Sequence, residues 1–241
     1  MLTLYQFPIS HYCEKVRWAL DFKHLDYQVK NLIPGLHLSK TKKLARSSSV
    51  PILVHDGKIV QNSSDIISYI DAEFPEFPLL PEQENLQLEA MAWEKFADDE
   101  IGITVRLICY HHLLDYPSLA IPLFTGNGPW YGPLVIKAIY PGLQTAMRNM
   151  MSINPESVQA ANIKLGLAID RVYTRLQEQS FLAGDNFTRA DLATASLLAP
   201  LCMPKKYGLI WPERFPEPLE QIIEPYLEKI AWVNRLYINY R

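Results

Sequence analysis

Ser10-His11-Tyr12-Cys13 is the segment of this chain with the densest reactive chemistry. It follows Leu2–Phe7, which alternates and is rich in strand formers, and it precedes an amphipathic stretch from Glu14 to Phe22. That places a hydroxyl, an imidazole, a phenol and a thiol at a strand-to-helix turn, where free N–H groups and the helix dipole favour a thiolate. Cys13 stands three residues after Ser10, the place of the second cysteine in a Cys-x-x-Cys redox pair, and could instead be a small residue packed under the first helical turn. His11 and Tyr12 are wall residues that could donate to a sulfur. A general-base role for His11 has no orienting partner in the sequence. Farther along, Asn62-Ser63-Ser64 opens another helix, where hydroxyl and N–H groups suit a carboxylate and where Ser63 or Ser64 can cap.

The elements that must carry these residues read in order. A second strand is expected over Asp26–Leu32 and a short helical segment over Lys40–Arg46. Two strands then flank Asp56-Gly57, whose need for positive φ makes a tight antiparallel hairpin. A helix through Ile66, Ile67 and Ile70 ends before Pro75. In the first helix Val16, Ala19 and Leu20 form the apolar face, leaving Lys15, Arg17, Asp21 and Lys23 to face water. The first 75 residues therefore read as a β-α-β-α-β-β-α domain, residues 76–81 as a proline-rich linker, and residues 82–241 as an all-helical domain. Long helices are expected at 82–112, 155–179 and 188–202. The last starts at Thr188, with Asp191 completing a capping box and Phe187 stapling onto Leu192. Pro117, Pro122, Pro129, Pro133 and Pro141 with Gly126, Gly128 and Gly132 predict a loop-rich excursion over 116–141.

Composition narrows the classes of function. The chain has 241 residues, 49% apolar and 20% charged, with a formal net charge of −3. That is a globular balance without the basic footprint of a nucleic-acid partner. Cys13, Cys109 and Cys202 are odd in number and widely spaced, which argues against a disulfide framework or zinc site and for a reducing, cytoplasmic setting. No signal peptide or membrane span is expected. Asp98, Asp99, Arg106, Tyr110, His111 and His112 read as polar helix surface at the domain interface. Adjacent His111 and His112 point about 100° apart and do not form a metal pair.

The order of Ser10-x-x-Cys13, Val50-Pro51, Asp56-Gly57, Asn62-Ser63, the proline-rich linker and Phe181–Asp191 resembles the soluble glutathione transferase superfamily, in a serine/cysteine-type, bacterial-like form. The resemblance implies a thioredoxin-like domain followed by a helical one, with glutathione as co-substrate and no metal. It implies that Val50, before a cis Pro51, offers its backbone to the cysteinyl part of glutathione as a strand edge. Asn62 and Ser63 would hold the γ-glutamyl end, with Asn62 replacing an acid usual in the family, and His11 would lie beside the tripeptide. Ser10 would donate to the thiolate. Its attack on a small apolar electrophile would be a detoxifying conjugation. Cys13 gives the alternative of thiol-disulfide or peroxide reduction, and a non-enzymatic binding or regulatory protein is the other. Tyr110, Tyr116 and Trp130 are candidates for the electrophile pocket, or ordinary core. A two-fold homodimer is likewise implied.

Overall fold

Strand β1 (Leu2–Gln6) places Leu2 and Leu4 inward and Thr3 and Tyr5 toward the other face, the period-2 alternation of a strand. The computed structural model describes residues 1–241. After β1 come α1 (His11–Phe22), β2 (Tyr27–Asn31), α2 (His37–Leu44), β3 (Ile52–His55), β4 (Lys58–Gln61) and α3 (Ser63–Glu73). The sheet order is β2-β1-β3-β4. β1 runs parallel to β2, with Leu4 opposite Val29, and antiparallel to β3, with Leu4 opposite Leu53. β3 and β4 form the hairpin, Val54 opposite Ile59, and Asp56 and Gly57 at its tip have φ of 47° and 88°. Both central residues have the left-handed backbone that a type I′ turn demands.

The expectation that Lys15, Arg17 and Lys23 face water is corrected: all three are buried. α1 is covered by the sheet on one side and by the helical domain on the other, so its polar positions must find partners inside. Lys15 Nζ lies 2.8 Å from Glu94 and from Asp98, Arg17 Nη2 2.7 Å from Glu14, and Lys23 Nζ 2.8 Å from Asp71. Such pairs are required once the site is dry, because an unpaired buried charge costs several kcal/mol.

The helical half contains α4 (Glu84–Phe96), α5 (Ile103–Leu113), α6 (Pro117–Thr125), α7 (Gly132–Met150), α8 (Pro155–Glu178), α9 (Arg189–Cys202), α10 (Glu217–Ile223) and α11 (Leu227–Tyr240). A π-helical turn, Ala97–Gly102, joins α4 to α5. α9 is buried from Arg189 to Leu201 and forms the axis of the domain. Thr188 caps it as expected, accepting from the Ala190 N–H while Asp191 accepts from the Thr188 N–H at 3.0 Å. Phe187 stacks on Tyr240 of α11 at 4.4 Å, and so ties the cap to the last helix.

Residues 116–141 are mostly helical, contrary to the expected excursion. Pro117 and Pro133 stand in the first turns of α6 and α7, where no N–H donor is needed and a fixed φ suits the helix. Only the Gly126–Tyr131 connection is irregular. Tyr140 Oη and Gln144 Nε2 both donate to the Leu114 carbonyl, at 3.0 and 2.9 Å, which clamps α7 to the end of α5.

Candidate functional site

A cleft of about 730 Å³ opens between the amino end of α3, the Ser49–Pro51 segment ahead of β3, and the α4–α5 region. Its size is that of a small-molecule site, about 300–1,000 Å³. Val50, Pro51, Asn62 and Ser63 all line it. The Val50-Pro51 peptide is cis, and the Val50 N–H and C=O have no protein hydrogen-bond partner. Asn62 is the cap of α3, where Ser63 or Ser64 was expected: its side chain accepts the Ser64 N–H at 3.0 Å from a backbone with φ of 86°. Asn tolerates positive φ better than most residues, and the Ser63 N–H is left without a partner at the mouth of the helix. Asp65, in the first turn of α3, also faces the cleft and is exposed.

Beneath the cleft lies a buried polar network. Lys15 Nζ donates to Ser64 Oγ at 2.9 Å and to both Asp98 carboxylate oxygens at 2.8 Å. Ser64 Oγ donates to Asp98 Oδ2 at 2.7 Å. Arg189 lies 2.5 Å from Glu94 and donates to the Ser64 carbonyl and to Ser68 Oγ. Burial raises the Glu94 carboxyl, but Lys15 and Arg189 outweigh it and hold the group below its ordinary value. The network thereby fixes the amino end of α3 on the helical domain.

The amino end of α1 is organised differently. Ser10 caps it, accepting the Cys13 N–H at 3.3 Å, and is half-buried. The π turn directs two carbonyls at this end: His11 Nε2 donates to Gly102 at 3.0 Å and Tyr12 Oη donates to Asp98 at 2.8 Å. π turns often occur at functional sites. A Cβ on Gly102 would stand 2.7 Å from Tyr12 Cζ, so this close approach requires glycine. Burial, with Arg106 adding to it, lowers the His11 pKa to about 3. Burial pushes the Cys13 thiol up despite the Ser10 hydrogen bond and Arg17, and the residue has no exposed surface.

The sequence candidates thus separate. Val50, Pro51, Asn62 and Ser63 share one cleft, whereas Ser10, His11 and Cys13 stand outside its lining and Tyr12 alone of that tetrad borders it. Tyr110 borders a second, narrow apolar cavity of about 20 Å³ with His11, Arg106, Trp211 and Phe215. Tyr116 and Trp130 are 41% and 85% exposed and line neither cavity. Tyr116 is the residue before α6, and Trp130 lies in the irregular connection between α6 and α7. Asp65, Asp98 and Arg106 are cleft residues that sequence reasoning did not place there. Asp65 has a signal in its position one turn into α3, while Asp98 and Arg106 are placed by the π turn and the helix after it, for which the sequence carries no local signal. No helix is long and apolar enough to cross a membrane. No group of three or more His, Cys, Asp or Glu side chains is placed to hold a metal ion.

A sheet of this order with a helical domain packed along its first helix is the thioredoxin-type architecture joined to an all-helical partner. The model of the glutathione S-transferase N-terminal domain matches residues 4–78, and that of the C-terminal domain matches residues 136–217. The chain belongs to the soluble glutathione transferase superfamily. It is 38% identical over 96 residues to glutathione S-transferase 1 of Dianthus caryophyllus, covering 39% of this chain and 42% of that one. It is 33% identical over 159 residues to glutathione transferase GST 23 of Zea mays, covering 63% and 64%. The matched stretch is therefore less than two thirds of either relative's length. In fold it is similar to β-etherase LigF of Sphingobium sp. strain SYK-6, at TM-score 0.65 and 21% identity, over 97% of this chain and 98% of that one.

Proposed function

We propose that this chain is a glutathione-dependent transferase that conjugates the tripeptide thiolate to small electrophiles. The observation that carries this reading is the single cleft that gathers Val50, Pro51, Asn62 and Ser63 around an unpartnered helix N–H. The γ-glutamyl carboxylate binds the amino end of α3, where free donors and the dipole favour an anion. Asp65 supplies the negative charge for the γ-glutamyl ammonium that Asn62 lacks. The cysteinyl backbone pairs with Val50, and its sulfur reaches the amino end of α1. There Ser10, whose Oγ accepts from Cys13, keeps its own proton to donate to the thiolate. The thiol proton leaves to solvent, and the thiolate forms the new C–S bond as the leaving group departs with its electron pair. Residues 1–75 supply the peptide site, residues 82–241 the electrophile side, and two copies of this chain pair in the cytoplasm.

Burial of Cys13 and its raised pKa favour conjugation over exchange through that thiol. Calorimetry with glutathione, followed by conjugation of 1-chloro-2,4-dinitrobenzene, tests the proposal. Ser10→Ala is expected to lower kcat about 100- to 1,000-fold, as loss of one oxyanion-type donor does, with glutathione affinity changed less than about threefold. Binding without turnover in the wild-type protein would support a regulatory role, and activity abolished by Cys13→Ser alone would support the redox one.

A further inference from the structure

Three cations line the cleft: Lys95, Arg106 and Arg189. Lys95 is 2.6 Å from Asp99, and Arg189 is 2.5 Å from Glu94. Arg106 has no ion pair and no hydrogen bond, although its residue is half-buried. A guanidinium carries five donors and stays charged, so leaving all of them without a protein partner in a partly dry wall is unusual. Of the cleft's carboxylates, Glu94 and Asp98 are held by Lys15 and Asp99 by Lys95, while Asp65 sits on α3. Arg106 is also the one charged residue common to the cleft and the narrow apolar cavity walled by Tyr110, Leu113, Trp211 and Phe215. Its neighbour there, His11, is held neutral by burial and by Arg106 itself.

We infer that Arg106 is the specificity-determining residue for the second substrate and selects electrophiles that join a carboxylate to an apolar, unsaturated body. The inference rests on the conjugating reading above. The apolar body lies toward Tyr110 and Trp211, the carboxylate takes a bidentate guanidinium contact, and the reacting carbon faces the sulfur between the two domains. Arg suits this task better than Lys because its planar fork matches both carboxylate oxygens. The narrow cavity holds only about 20 Å³, so the ring occupies the cleft side of Arg106 and meets that cavity at its mouth.

The probes are 4-chloro-3,5-dinitrobenzoate and its methyl ester, alike in ring, leaving group and reaction, the ester adding one methyl group and removing the charge. In each, the thiolate sulfur bonds the chlorine-bearing carbon, the C–Cl bond breaks, chloride leaves with the electron pair, and the thiol proton goes to solvent. With each kcat/KM divided by the uncatalysed rate, the wild-type protein is expected to prefer the acid at least tenfold, as a charge-assisted pair of hydrogen bonds allows. Arg106→Gln brings that ratio to about one, and Arg106→Lys recovers part of it. Calorimetry on the two finished conjugates, S-(4-carboxy-2,6-dinitrophenyl)glutathione and its methyl ester, reads the same preference without turnover. Equal wild-type affinity for the two conjugates, or a preference that survives Arg106→Gln, overturns the inference while leaving the conjugating function intact. Failure of glutathione itself to bind overturns that function first, and an Arg106→Gln defect in glutathione affinity assigns the residue to the tripeptide instead.

Discussion

The amino ends of α1 and α3 are built in opposite ways. α1 begins with Ser10, His11, Tyr12 and Cys13, and almost every polar atom there already has a protein partner: the cap, the Gly102 carbonyl and the Asp98 carbonyl. α3 begins with Asn62, Ser63 and Ser64; its cap is satisfied from within, its floor is fixed by Lys15 and Arg189, and the Ser63 N–H is free. The end richest in reactive side chains is braced by the second domain, and the end with plain hydroxyls keeps an unpartnered N–H beside the cleft. Spare donors are what the proposed ligand anion needs, whereas the reactive groups are held still by donors and acceptors already paired.

The largest break in this comparison comes from the floor of the open end. Replacing Lys15 by Met leaves Asp98 and part of Glu94 uncompensated in a buried site, and the expected loss is about 3–5 kcal/mol of unfolding free energy. Urea denaturation measures it. The exposed Lys95–Asp99 pair is the control, because Lys95→Met should move stability by less than about 1 kcal/mol. Equal effects from the two substitutions would mean that the buried network does not anchor α3.

The braced end is next. His11 has a folded pKa near 3 against an ordinary 6.5, so between those values the unfolded chain binds the extra proton and the folded one does not. Stability from the neutral imidazole is complete above about pH 6.5 and is lost as pH falls toward 3, with a slope approaching about 1.4 kcal/mol per pH unit. His11→Gln keeps a donor for the Gly102 carbonyl and cannot titrate. The variant should therefore show a flatter fall in unfolding free energy between pH 6 and pH 4, about 2–3 kcal/mol less over that interval. An unchanged slope would show that His11 is open to protons.

Packing at the same end gives a smaller effect. Gly102→Ala puts a methyl against Tyr12 and should cost about 1–3 kcal/mol. Tyr12→Ala in that background should restore part of the loss, a coupling that a helix-propensity effect of alanine would not produce.

Much of this arrangement was legible in the residues because it is local. The hairpin at Asp56-Gly57 and the Thr188–Asp191 cap are decided by backbone conformation within four residues, and both formed as expected. What was not legible depends on distant chain. Lys15 and Arg17 look like a solvated face until a second domain covers it, and Pro117 and Pro133 look like breakers until they are seen to occupy first turns. Asn62 and Ser63 read as ligand-binding residues with Ser63 or Ser64 as the cap; the structure puts the cap on Asn62, whose backbone φ is 86° and whose side chain turns back on Ser64. Arg106 carries no local signal, because what distinguishes it is the lack of a partner.

The smallest effect sharpens the comparison most directly at the open end. Asn and Asp cap helices almost equally well, so Asn62→Asp should leave unfolding free energy within about 0.5 kcal/mol. It adds a carboxylate at the edge of the cleft, where the γ-glutamyl ammonium of glutathione is proposed to lie. Partial exposure limits the gain to about 0.4–1 kcal/mol, or roughly two- to fivefold in affinity by calorimetry. The gain should vanish for the analogue lacking the ammonium, glutaryl-cysteinyl-glycine. Asp65→Asn should move affinity the opposite way for glutathione and leave the analogue unchanged. If Asn62→Asp tightens both ligands alike, the added charge acts on the helix and not on the ammonium, and the peptide runs through the cleft in another direction.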